Sequence, residues 1–161
     1  MNNVLKNVRP GLFLALLTLL FGIVMGISFG ANEAGYEHWI AQEIALHPEL
    51  HDADSPEKIW RYAQRAHFHA TGIGAFSLGL ILLVGLTGMR ARMKTISSTL
   101  IGLSGFYPFA WLSIFMLAPS MGRDGAHEAL ITQALVFVSV IGLLSGFLIL
   151  ALHLLFDLWK E

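Results

Sequence analysis

The sequence contains no cysteine among its 161 residues. That removes disulfides, thiolate metal ligands and dithiol redox exchange together, and with them a disulfide-exchange membrane enzyme. Charge is also scarce: Asp, Glu, Lys and Arg make up 13% of the chain, against 55% apolar residues. Its distribution matters more than its amount. Four stretches, Gly11–Ala31, Ala66–Met89, Ile96–Pro119 and Ala129–Phe156, have no Asp, Glu, Lys or Arg at all. Each reaches the roughly 20 residues that a helix needs to cross a bilayer core. With no ionised group at mid-depth, ion-coupled transport lacks its usual relay. Also absent are a Gly-rich phosphate loop, a Ser–His–Asp order and a basic patch interleaved with aromatics. Nucleic acid is therefore not an expected partner; the lipid bilayer is.

What is present predicts an all-α fold, an integral membrane four-helix bundle. The chain forms one domain over residues 1–161, with no room for a separate soluble one. Cytoplasmic segments carry the excess of Lys and Arg. Lys6, Arg9, Arg90, Arg92, Lys94 and Lys160 lie at one end of the bundle with only Asp157 and Glu161. Lys58, Arg61, Arg65 and Arg123 lie at the other with nine acidic residues. Both termini are therefore expected in the cytoplasm, with 32–65 and 120–128 outside, in a bacterial inner (plasma) membrane. Lys6 and Arg9 before an apolar run, with Ser28 and Gly30 after it, have the outline of a secretory signal. The uncharged run of about 20 residues exceeds a typical signal core, so a retained anchor is expected.

Gly22, Gly26 and Gly30 recur every fourth residue and continue in Ala34. On a helix they form a small-residue face that lets another backbone approach closely; Gly142 and Gly146 repeat the device. Two uses are open: packing inside the bundle, or an interface with a second copy or a membrane-complex partner. In the 32–65 loop, Tyr36, Trp39, Ile40 and Ile44 fall at helical spacing, predicting an amphipathic helix over 36–46 in the headgroup region. Ser55 as cap, Pro56 at the first helical position and Glu57 beside the positive helix end start the second long helix. It should run unbroken to Arg90, its first turns clear of the bilayer. Ile59, Tyr62 and Ala63 would pack on the loop helix, with Trp60 at the flank, as an extracytoplasmic helical cap. Pro108 predicts a kink in the third span, freeing the Ser104 carbonyl.

Six of the seven histidines, His38, His47, His51, His67, His69 and His127, fall on the outer side of this topology. His67 and His69, two residues apart on a helix, point about 200° apart, so they cannot clamp one ion. His67 shares its face with Ala70, Thr71, Gly74, Leu78 and Gly85, and His69 with Ile73, Phe76, Leu80 and Leu83. The small-residue side faces the bundle, so His67 is the inward one. Imidazole ligates transition metals and haem iron alike. His127 is the expected second ligand and His38 the next; Met116 and Met121 are possible soft ligands. Arg61 and Arg65 stand ready for haem propionates or a substrate anion. The competing reading makes these histidines interfacial side chains bonded to Glu128, Gln133 or backbone. The run His47-Pro-Glu-Leu-His51-Asp52-Ala-Asp54 has Zn²⁺- or Cu²⁺-type donors but also reads as a solvated acidic loop. His153 is expected to bond Asp157.

At Arg65–Gly74 the sequence RAHFHATGIG resembles the second transmembrane helix of subunit I in haem–copper oxidases and nitric-oxide reductases. There a histidine near the outer end ligates a low-spin haem b. The resemblance covers ten residues and implies that His67 is a haem ligand. The departures are four helices in place of twelve, no copper-site histidines and no mid-membrane histidine to close the second axial position. They exclude a complete oxidase and leave a small haem-binding relative. The expected function is binding of haem b or a transition metal (copper, zinc or iron) at the outer end, in electron transfer or as an accessory redox subunit. The alternatives are a cofactor-free subunit or assembly factor, or a small permease using the Pro108 kink.

Overall fold

Each apolar run becomes a helix because neither water nor lipid competes for its backbone once the ladder closes on itself. The computed structural model describes residues 5–160 and is helical almost throughout. We number the helices α1 (Arg9–Leu46), α2 (Ser55–Leu86), α3 (Ala91–Gly102), α4 (Tyr107–Glu128) and α5 (Leu130–Phe156). Short 3₁₀ turns occupy Pro48–Leu50 and Leu103–Phe106. α3 and α4 run on from each other through the second turn, giving four segments long and apolar enough to cross a bilayer. The chain is thus an all-α, multi-pass membrane protein. Arg90 N–H bonds the Trp159 carbonyl at 2.9 Å, and the Thr95 hydroxyl bonds the Asn7 carbonyl at 2.8 Å. The described N-terminal segment, the α2–α3 turn and the C-terminal segment therefore meet at one end, the terminal end; the opposite end is the distal one.

Small residues set the close packing in the spans. A Cβ at Gly22 would lie 3.0 Å from that of Ala70, and one at Gly74 would lie 2.8 Å from Leu19 Cγ, so α1 and α2 touch nearly backbone to backbone. Gly142 and Gly146 do the same for α5 against Leu103 and Ile101. Interhelical hydroxyls add polar ties: Ser77 to Ser104 at 2.7 Å, Ser97 to the Gly146 carbonyl at 2.9 Å and Ser113 to Thr132 at 2.8 Å. Of the glycines that could have met a second copy, Gly22 and Gly26 face α2 of the same chain, while Gly30 has open space around it. Leu16, Leu20, Ile23 and Ile27 on the other side of α1 are more than half exposed. The distal end is held differently, by a cluster of Ile40, Ile59, Trp60, Tyr62, Ile114 and Phe115. Ile59 is fully buried there, which stabilises by about 2 kcal/mol where water is the alternative.

The helix expected over 36–46 is present, set off from the rest of α1 by a break at Asn32 (φ −151°, ψ 42°), and its Ile40 packs with Ile59, Tyr62 and Ala63 in the distal cluster. Several other local expectations are corrected. Asp54, not Ser55, is the residue preceding α2, and Ser55 instead donates to Asp52 Oδ1 at 2.7 Å. α2 ends at Leu86, short of Arg90. Pro108 sits in the first turn of α4, where its missing N–H costs little, and the Tyr107 N–H takes the Ser104 carbonyl. The 120–128 segment is no loop: it is helical on both sides of a reversal at Gly122 (φ 73°, ψ 165°). His153 bonds the Leu158 carbonyl, not Asp157, whose carboxylate pairs with Lys160.

Candidate functional site at the distal end

The side chains under each α2 histidine decide where it points. His67 lies over α1: its Nδ1–H donates to the Gly22 carbonyl at 2.8 Å, and its ring rests on Gly26, where a Cβ would come within 2.7 Å of Cε1. A carbonyl can only accept, so Nδ1 holds a proton and the ring's other nitrogen, Nε2, is the one left to act as a ligand. That atom makes no hydrogen bond among the described residues. His69 faces α4. Its Nδ1–H donates to the Arg65 carbonyl at 2.7 Å, and its ring stacks on Trp111 with centroids 5.7 Å apart and lies 5.1 Å from Tyr107. The two imidazoles thus serve opposite flanks of α2, as a regular helix requires.

His127 goes to the side of His69. The Gly122 reversal folds the end of α4 back, so that the His127 ring meets Trp111 at 6.0 Å and Tyr62 at 5.4 Å. The expected pairing of His67 with His127 is therefore not formed in this arrangement; α2 stands between their neighbours. Trp111 is the centre instead. Tyr62 stacks on it at 5.9 Å, and the Arg65 guanidinium lies 4.9 Å from its ring, a cation–π contact that holds Arg65 against the protein. Arg61 pairs with Glu57 one turn earlier. His38 is exposed, and Met116 and Met121 are about half exposed. Among the described residues no three of His, Asp or Glu gather closely enough for a metal.

The metal-flavoured loop divides in the same way. His47 lies 4.0 Å from Glu49, while His51 Nε2–H donates to the Pro119 carbonyl at 2.8 Å, close to the Gly122 reversal. Asp52 ties the same loop to Lys58 at 3.4 Å and to Arg123 at 3.8 Å. The Ser55 hydroxyl bonded to Asp52, then Lys58 and Arg123, hold its carboxyl below the ordinary value. This loop is a latch on the reversal. It keeps the short segment carrying His127 in place.

Beside Trp111, α4 and α5 enclose a cavity of about 390 Å³ lined by Tyr107, Trp111, His127, Gln133 and Phe137 among others. Trp111 and Tyr107 organise the site, and the sequence marks them only by their place beside Pro108. Their signal was weak, because aromatics also mark any membrane interface. Gly122, three residues after Pro119, carried a turn signal that composition hid inside an apparent loop. The chain matches no protein-family model, no curated protein and no solved structure.

Proposed function

We propose that this chain is a small protein of the bacterial plasma membrane, termini in the cytoplasm, that binds haem b or a transition metal through His67 at its extracytoplasmic end. It serves electron transfer there, as an accessory redox subunit. One observation carries the reading: His67 is tied by Nδ1–H to the Gly22 carbonyl and presents an unpaired Nε2. Ligating histidines are held in this manner, the second nitrogen fixed by a carbonyl so that the first keeps its tautomer and aim. The glycine floor at Gly26 supports the fit by giving the ring a defined seat. Iron, copper or zinc accepts such a nitrogen, and a single proximal imidazole suffices for haem. Haem, iron or copper bound there would supply one-electron chemistry; the protein's own part is to fix the tautomer and orient Nε2.

Orientation rests on the basic residues gathered at the terminal end: Arg90 reaches the Lys160 carbonyl, and Lys94 caps the Gly85 carbonyl at 3.1 Å. Metal analysis and a reduced-minus-oxidised spectrum of purified protein test the proposal. A Soret band or near-stoichiometric metal is expected in the wild type, in His69→Ala and in His127→Ala, with loss in His67→Ala. Wild-type protein with neither signal defeats the reading.

A further inference from the structure

The cavity beside Trp111 adjoins a second one along α5. Its α5 wall is supplied by Thr132, Gln133, Val136 and Phe137, and the next turns of the same helix, Ser139, Val140 and Leu143, line a second cavity of about 220 Å³. Tyr107 borders both. The two cavities differ in chemistry. In the second, the Ser104 and Ser139 hydroxyls already donate to the Ile101 and Val136 carbonyls, so the surface left for a guest is the apolar one of Ile73, Val140 and Leu143. In the first, Thr132 is satisfied by Ser113 and the Ala126 carbonyl. There the buried Trp111 Nε1–H has no hydrogen-bond partner among the described residues, and the lining adds the Tyr107 hydroxyl and the exposed His127 imidazole and Gln133 amide.

We infer that these adjoining cavities bind a lipophilic quinone, a neutral ring with hydrogen-bond-accepting oxygens and an apolar tail. The ring occupies the cavity of Tyr107, Trp111 and His127, and the tail follows α5 into the second. Four features select this class. About 390 Å³ falls within the usual range for small-molecule pockets. None of the nine residues lining the first cavity is Asp, Glu, Lys or Arg, which disfavours a phosphate headgroup needing cationic partners. Tyr107 and Trp111 meet nearly at right angles, 81° with centroids 6.4 Å apart, forming an aromatic corner for a flat ring. The lip is apolar and open at the surface, with Phe137 62% and Val140 39% exposed. Donors on Trp111, Tyr107, His127 and Gln133 meet the ring oxygens, and the site uses no atom of His67.

The test is a fluorescence titration with decylubiquinone, using full-length protein in quinone-free phospholipid nanodiscs. Quinone in contact with Trp111 should quench its emission saturably. The half-saturation point should rise at least tenfold in His127→Ala combined with Gln133→Leu, and again in Val140→Phe, which fills the tail groove. All three positions are exposed at the surface, and circular dichroism checks that each variant is folded. Quenching that grows linearly with quinone and is equal in every protein overturns the site. Equal competition by a long-chain fatty alcohol overturns the quinone assignment, because only the tail would then be read. Neither result depends on whether His67 holds a cofactor.

Discussion

Gly26 and Gly30 lie one turn apart on α1 and should respond oppositely to the same methyl group. At Gly26 a Cβ would press on the His67 ring, whereas at Gly30 nothing lies within 4 Å. Gly26→Ala should cost about 1–3 kcal/mol through overpacking and should weaken any ligand held by His67. Gly30→Ala should leave the melting temperature nearly unchanged. Thermal unfolding of the two variants side by side checks this. Asp52 gives a pH prediction of definite sign. Its carboxyl sits below the ordinary 3.8 in the folded protein, because of Ser55, Lys58 and Arg123. Its contribution is therefore complete above that value and lost as pH falls through the lower folded one. Hydrogen-exchange protection over residues 47–54, corrected for the intrinsic pH dependence of the exchange rate, should hold at neutral pH and fall in acid, and Asp52→Asn should lower it already at neutral pH. At this scale the inward facing of His67 was legible, because helical geometry and the small residues beneath it leave little choice. Its hydrogen bond to Gly22 was not, since that depends on which turn of α1 lies opposite.

Among the elements, the end of α4 depends most on a single residue. Gly122 adopts φ 73° and ψ 165°, a region nearly closed to side-chain-bearing residues. Gly122→Ala should therefore cost about 1–3 kcal/mol and release His127 from Trp111. A shift in tryptophan emission together with a lowered melting temperature would show both; an unchanged emission would mean that His127 is placed by other contacts. α5 was read almost to the residue, because an uninterrupted apolar run has only one helical solution in lipid. The third crossing was read less well. Pro108 signalled a kink, but its place in the first turn of α4 follows from the 3₁₀ segment before it. The helix over 36–46 was legible from its spacing, whereas the single break that precedes it was not. Asn32 and Glu33 fall in the stretch expected as loop, yet the backbone leaves the helix at Asn32 alone and the distal cluster holds the helix that follows.

Taken whole, the molecule is held by two kinds of force. The crossings depend on small residues and buried hydroxyls, since lipid offers no hydrophobic drive between helices; the distal cluster packs like a soluble core. Ile59→Ala, at a fully buried position in that cluster, should cost about 2–5 kcal/mol. Leu17→Ala, 47% exposed on α1, should cost a small fraction of that in the same unfolding assay. The histidines at 38, 47, 51, 67, 69 and 127 gather toward this distal half, and the proposed function requires that this half face outward. The absence of native cysteine makes the decisive measurement clean. Asp54→Cys and Arg92→Cys, expressed singly, are exposed to a membrane-impermeant maleimide in intact spheroplasts. Asp54→Cys should be labelled at once and Arg92→Cys only after the membrane is opened. The reverse pattern would contradict the proposed function, placing the histidine-rich end in the cytoplasm.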